Sequence, residues 1–191
     1  SLQLACTPLT VSGARVTRLA SISLSAPKVA GTPNVIAVAA YDYNASGQLA
    51  DEYDPRVSPH LLTAYTYGSS NRLATLTPPG QAAWNFAYDS KSRLSTVSRT
   101  DSGGATATST VVYGVPFTGS SAPVEVGAAA DATWAQTADL PAQAVAVFPP
   151  SHQPSSTSPS SVSSTDWPYA SIDYLDVNGS QVDQAEYGAG A

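Results

Sequence analysis

Three carboxylates within four residues, Asp51, Glu52 and Asp54, form the densest group of ionisable side chains in the sequence. Such a group can pass protons between carboxyls or hold a divalent cation. A calcium loop needs oxygen ligands at a fixed alternating spacing, and no such spacing follows Asp54. Asp54-Pro55-Arg56 fits instead the polar, Pro-broken end of a hairpin. The other candidates for chemistry are His60, His152 and the single cysteine, Cys6. Neither histidine is near Cys6 in sequence, no Gly-x-Ser-x-Gly elbow presents a serine nucleophile, and no His/Cys/carboxylate set has zinc spacing. His60, beside Pro59, and His152, in a serine-rich stretch, read as solvated loop residues. Cys6 reads as a buried small residue. Gly103-Gly104 lacks the Lys-Ser/Thr that would follow in a phosphate-binding loop. The expectation is a chain that is not an enzyme, with no catalytic residue, no metal site and no cofactor.

Composition narrows the partners. The 191 residues are 42% hydrophobic, enough for a core, but only 12% charged, with a net charge of −6. The cations are six arginines and two lysines, and they form no basic stripe. Neutralising nucleic-acid phosphates or an anionic membrane surface is therefore disfavoured. No run approaches the roughly 18 apolar residues that would span a bilayer, so no membrane insertion is expected. One cysteine excludes an internal disulfide framework. Ser, Thr, Ala, Gly and Pro fill much of the rest, a profile that suits an extracellular or cell-surface all-β protein. With no methionine and an opening Ser-Leu-Gln-Leu, the chain reads as a piece of a longer polypeptide.

The elements that would position any site are organised by one pattern written three times between residues 37 and 99. The copies are Tyr43-Asn44-Ala45-Ser46-Gly47-Gln48-Leu49, Tyr67-Gly68-Ser69-Ser70-Asn71-Arg72-Leu73 and Tyr88-Asp89-Ser90-Lys91-Ser92-Arg93-Leu94. Tyr and Leu stand six residues apart in each, and the copies start 24 and then 21 residues apart. A period of this length is the signature of a repeat architecture. A second aromatic precedes each tyrosine by two positions: Tyr41, Tyr65 and Phe86. Residues two apart on a strand share a face. Each copy thus predicts a strand with an aromatic pair, a turn of small and polar residues, and a second strand opening on Leu. Gly47 can supply the positive φ such a turn needs. Three of these in series predict consecutive antiparallel β-hairpins.

These copies resemble the Tyr-Asp-x-x-Gly-Arg-Leu consensus of the YD repeat, found in bacterial Rhs proteins, in the shells of related toxin complexes and in animal teneurins. The resemblance covers roughly residues 35 to 115, and its repeat-defining positions are Tyr41, Tyr43, Gly47, Leu49, Tyr65, Tyr67, Arg72, Leu73, Phe86, Tyr88, Asp89, Arg93 and Leu94. No copy is complete: the first has Asn44 and Gln48, the second Gly68 and Asn71, the third Ser92 in place of Gly. Val111 to Pro116, Trp134-Ala135-Gln136 and Ala146 to Pro149 are similar to the non-repeat part of long secreted actinobacterial YD-repeat proteins. The resemblance implies a spiral sheet of hairpins forming a shell that encloses and shields the polypeptide's own C-terminal, toxin-like domain. The partners it implies are neighbouring repeats and that cargo, with glycans as a second class through exposed aromatics. Rhs-type shells also carry a self-cleaving Asp-Pro-x-Gly element. Asp54-Pro55-Arg56-Val57 lacks its Gly and does not inherit that role.

The rest of the chain reads as follows. Residues 1–118 form the repeat sheet, with strands before the first copy over Arg15–Leu24 and after the third over Thr106–Val115. Residues 119–150 are a non-repeat insert with the only expected helix, near 128–138 and anchored by Trp134, then a short strand from Gln143 to Phe148. Residues 151–166 hold a stretch with eight Ser and two Pro between Ser151 and Ser164. Its composition predicts a solvated loop or linker. Residues 167–191 predict a hairpin with Asn178-Gly179 at its turn, a degenerate fourth repeat in which Ile172 takes the place of the leading aromatic and shares a face with Tyr174. Asn44-Ala45-Ser46 and Asn178-Gly179-Ser180 match the glycosylation acceptor pattern, which here reflects turn preference.

Overall fold

A computed structural model describes residues 1–26, 34–123 and 141–186. The expected helix near 128–138, with Trp134, lies outside the described residues. The fold is all-β: twelve strands, antiparallel in every observed pairing. The helical elements among the described residues are two three-residue 3-10 turns, Pro159–Ser161 and Trp167–Tyr169. The chain divides into two compact units, Ser1–Asn85 and Phe86–Ala191.

In the first unit, strands follow one another in space as in sequence: β1 (Leu2–Val11), β2 (Ala14–Ala26), β3 (Asn34–Tyr43), β4 (Leu49–Tyr53), β5 (Thr63–Tyr67) and β6 (Leu73–Thr77). The start of β7 (Trp84–Tyr88) pairs with β6 through Leu76↔Trp84 and Thr75↔Asn85. β1 and β2 are joined by a two-residue turn at Ser12-Gly13, with φ of 48° and 82°. Two positive φ values in succession make the primed turn whose twist matches a hairpin. This hairpin and its turn lie ahead of the first recognised copy, where the sequence shows only alternating β-branched residues.

The second unit holds β8 (Leu94–Thr100), β9 (Thr106–Tyr113), β10 (Gln143–Phe148), β11 (Ser171–Leu175) and β12 (Gln181–Ala185). Its core is one face of the sheet read at period two: Thr110 and Val112 from β9, Ala144, Ala146 and Phe148 from β10, Ile172 and Tyr174 from β11. Val162, Trp167 and Ala170 cover that face. The Trp167 ring lies 5.8 Å from Phe148, and its Nε1 donates to the Ser121 carbonyl at 3.0 Å. Full burial of each large apolar side chain contributes about 1.5–3 kcal/mol. The serine-rich stretch is thus a loop, but a packed one. It is fixed by local bonds such as Ser163 N to Ser155 Oγ at 2.9 Å, and it delivers Val162, 4% exposed, into the core. Composition averaged over the stretch hides that single valine.

Every buried apolar residue among the described ones belongs to the second unit. In the first unit, β4, β5 and β6 are half-exposed on both faces, and β1 is largely exposed. Cross-strand pairs, each contributing about 0.2–1 kcal/mol, therefore bear more of its stability than a dry core does.

Candidate functional site

Among the described residues, five hairpin turns share one construction. They begin at Asn44, Gly68, Asp89, Asp101 and Asp176. In each, the first residue's N–H donates to the carbonyl four positions on, and the residue three positions on donates back to the first carbonyl, all at 2.8–3.1 Å. That fourth residue has positive φ: Gly47 70°, Asn71 59°, Ser92 75°, Gly104 86°, Gly179 82°. This is a type I turn closed by a left-handed bulge residue. The bulge sets the register of the flanking strands. Tyr43 lies opposite Leu49, and Tyr67 opposite Leu73. The six-residue Tyr-to-Leu spacing in the sequence is the span that places them there.

Where the first residue is Asn or Asp, its side chain locks the turn. Oδ1 accepts the N–H groups two and four positions on, at 2.9 and 3.1 Å from Asn44, 2.9 and 2.8 Å from Asp89, 2.9 and 2.9 Å from Asp101, and 2.8 and 2.8 Å from Asp176. Gly68 has no such acceptor. Asp101→Ala is expected to lose about 1 kcal/mol, the usual worth of a local side-chain acceptor for backbone N–H. Asp101→Asn should be close to neutral, because Asn44 makes the same bonds. Urea denaturation of the three proteins checks this, and equal losses for Ala and Asn would refute the acceptor role.

The remaining repeat-defining residues sort by unit. In the first unit, Tyr41, Tyr43, Tyr65 and Tyr67 are half-buried. Tyr43 Oη donates to the Leu19 carbonyl at 2.7 Å, and Tyr65 Oη to Glu52 Oε1 at 2.9 Å. Partial burial and that carboxylate push the Tyr65 hydroxyl up to about 12. Gly47 is buried, and its carbonyl accepts Arg18 Nε at 3.0 Å. Gln48 Nε2 reaches the Asn71 carbonyl at 3.3 Å, linking the first copy's turn to the second's. Leu49, Leu73 and Arg72 are half-buried, and the Arg72 carbonyl closes the second turn. In the second unit, Phe86, Tyr88 and Leu94 are half-buried. Arg93 folds back on Asp89, Nη2 to Oδ2 at 2.7 Å, while its guanidinium lies 4.0 Å from the Tyr113 ring centre.

The turn beginning at Asp176 shifts the expected alignment of the last hairpin. The position of Tyr43 is taken there by Leu175, opposite Gln181, and not by Tyr174. Ile172 and Tyr174 do share a face, but it is the buried one, 2% and 1% exposed. Gly179, three residues after Asp176, sets this phase.

The carboxylate cluster is dispersed. Asp51 lies opposite Asp42, Glu52 receives Tyr65, and Asp54 pairs with Arg56 at 2.6 Å. His60 stacks on Tyr53 with ring centres 4.3 Å apart. No group of three or more His, Cys, Asp or Glu suited to a metal ion occurs among the described residues. Cys6, expected to be buried, is exposed on β1.

His152, expected to be a solvated loop residue, is built into a site. Its ring stacks on Tyr169 at 3.8 Å and 11°. Its Nε2 lies 3.0 Å from Asp166 Oδ1. Asp166, 8% exposed, also accepts the Ser155 N–H at 2.8 Å on Oδ2. Beside the ring pair is an open hollow of about 740 Å³, lined by Ser109, Val147, Pro149, Pro150, Ser151, His152, Tyr169 and Ser171. The only sequence signal for it is His152 itself; Asp166 and Tyr169 follow 14 and 17 positions later with no recognisable spacing.

Bonds from Ser155 first, then from His152, hold the Asp166 carboxyl at about 2, below its ordinary 3.8. A carboxyl lowered by folding contributes stability above its unfolded value and loses it as pH falls through the folded one. The second unit is therefore expected to lose stability from about pH 4 down to about pH 2. Asp166→Asn should flatten that part of the pH profile in denaturant titrations; an unchanged profile would exclude Asp166 as its source.

No family model matches the chain, and no curated protein matches it.

Proposed function

We propose that this chain is a non-catalytic structural segment of a secreted or surface β-shell, one that encloses and shields a C-terminal, toxin-like domain of the same polypeptide. The observation that carries this reading is the recurrence of one turn, an acceptor or Gly at the first position and a left-handed residue at the fourth, between strands that succeed one another in sequence order. A wall built by repetition needs a unit that closes the same way each time, and this turn is such a unit. Half-buried tyrosines with polar tips suit a wall whose faces are neither dry nor fully wet. Its partners are then neighbouring repeats and the enclosed cargo. Native mass spectrometry of the full polypeptide before and after denaturation tests the reading: a C-terminal piece released only on denaturing supports a container, and a single chain with no protected interior to protease opposes it.

A second reading, attachment to cell-surface glycans, is favoured by the hollow beside His152 and Tyr169. A stacked, oriented ring with prolines offers an apolar platform, and Ser109, Ser151 and Ser171 ring it with hydroxyls, with no Asp, Glu, Lys or Arg in the lining. That combination fits the apolar face and hydroxyl rim of a neutral sugar. A glycan array with wild type and Tyr169→Ala decides it: binding lost in the variant supports the site, and no signal on any glycan removes it.

A further inference from the structure

The turn that begins at Asp89 holds one arginine in a fixed pose. Arg93 Nε donates to Asp89 Oδ2 at 2.8 Å, and Nη2 lies 2.7 Å from the same oxygen. The flat guanidinium lies 4.0 Å from the Tyr113 ring centre. Asp89 Oδ1 is taken by the backbone N–H groups of Lys91 and Arg93, at 2.9 and 2.8 Å. Both carboxylate oxygens are therefore occupied. Arg93 Nη1, by contrast, donates to nothing among the described residues. A guanidinium carries five N–H groups in one rigid plane. With the Nε side spent on Asp89, the end of the fork keeps two parallel donors free.

Arg93 and Tyr113 line an open cleft of about 480 Å³, a size within the range of small-ligand sites. Lys91 lines it too, and its side chain makes no ion pair or hydrogen bond among the described residues. Asp89 and Arg93 cancel, so the lining carries one surplus positive charge. Ser95 and Thr96 bring hydroxyls from β8, and Thr157 brings one from the serine-rich loop. None of these three hydroxyls hydrogen-bonds to a described residue, although Ser95 and Thr96 are half-buried. Half-buried hydroxyls without a protein partner are served by water or by a ligand. Pro159 adds an apolar wall.

We infer that this cleft binds a sugar acid, a small hydroxylated molecule with a single carboxylate. The planar carboxylate matches the two parallel donors at the end of the Arg93 fork. Lys91 supplies the charge that Arg93, already paired with Asp89, does not. Ser95, Thr96 and Thr157 meet ring hydroxyls, since each can donate or accept. Pro159 packs on the C–H face of the ring. The charge count selects among anions. A phosphate monoester carries about 1.5–2 negative charges, more than the lining balances, whereas a monoanion matches it. A neutral sugar gains nothing from the Arg93 fork. Because Asp89 and Tyr113 fix Arg93 in advance, little side-chain freedom is lost on binding. The cleft shares no lining residue with the hollow beside His152, and it does not depend on the shell reading, which the release of a cargo tests separately.

NMR titration of the isotope-labelled 191-residue chain at low salt tests it. The probes are D-glucuronate, D-glucose and acetate. Glucuronate should shift the amide signals of residues 89–96 and 157, and should bind about tenfold or more tighter than glucose, which lacks the charge-assisted bonds. Acetate, which lacks the hydroxyls, should also bind more weakly. Lys91→Gln, whose side chain holds nothing else in place, should weaken glucuronate by about threefold, the usual worth of an exposed charge. Arg93→Lys keeps the charge but not the planar fork, and should weaken it by about tenfold or more. The same spectra show that each variant is folded. A tetrasaccharide containing glucuronate separates the two sources of the acid: tighter binding than the free sugar assigns a polysaccharide, and weaker binding assigns the free acid. Equal affinity for glucuronate and glucose, no shifts at residues 89–96, or an affinity unchanged in Lys91→Gln and Arg93→Lys would each overturn the inference.

Discussion

Trp167→Ala is expected to cost the second unit about 3–5 kcal/mol, the range for truncating a large buried aromatic. Three losses combine. The indole is 3% exposed, so its removal leaves a cavity against Phe148 and Val162. The Ser121 carbonyl loses the Nε1 donor at 3.0 Å. The serine-rich loop loses the bulkiest side chain that fastens it to the sheet. With domain stabilities of about 5–15 kcal/mol, the variant should unfold in mild denaturant, and protease should cut first between residues 151 and 166. Trp167→Phe keeps the packing but not the donor, and should recover about half or more of the loss if burial outweighs the single bond at about 1 kcal/mol. A variant as stable as wild type would show that the loop merely rests on the sheet.

The second large effect is expected at Gly47. Its φ of 70° costs a residue with a Cβ about 1–2 kcal/mol. A Cβ there would also sit 2.7 Å from Val11 Cγ2. Relieving that overlap adds about 1–3 kcal/mol. Gly47→Ala should therefore destabilise the first unit by about 2–5 kcal/mol. Gly13→Ala is the control in the same unit: its φ is 82°, but nothing lies within 4 Å of the added carbon. It should show the backbone cost alone. Equal losses in the two variants would mean that Val11 moves aside freely and that the first turn does not lean on β1.

Much of this structure was legible in the residues between Tyr41 and Leu94. Tyr and Leu at a constant interval, with Asn, Asp, Gly and Ser between them, left no arrangement but strand, turn, strand. The physical cause is local: a type I turn with a left-handed closing residue has a fixed length, so its signature survives substitution. Asn71 and Ser92 fill the left-handed position without being glycine, which is why no copy matches a consensus yet all three form the same turn. The candidate site was not legible. His152, Asp166 and Tyr169 meet only because the loop folds back over β9 and β10, and long-range packing of that kind leaves no periodicity. The same limit hid the core role of Val162. The offset of Ile172 and Tyr174 was a matter of phase: reading from the tyrosine places Tyr174 on the repeat's aromatic face, whereas counting back three from Gly179 places it in the core.

The strand order has a consequence for how the molecule is made. Within each unit, every strand pairs with the one synthesised just before it. A chain emerging from its N-terminus therefore never waits for a distant partner. Each new hairpin finds the preceding strand already laid down, so the loop-closure entropy that slows sheets of complex topology stays small. An isolated hairpin is only marginally stable, but here each one is born beside a template. Assembly by accretion in this manner moves the growing edge along with synthesis, one hairpin at a time.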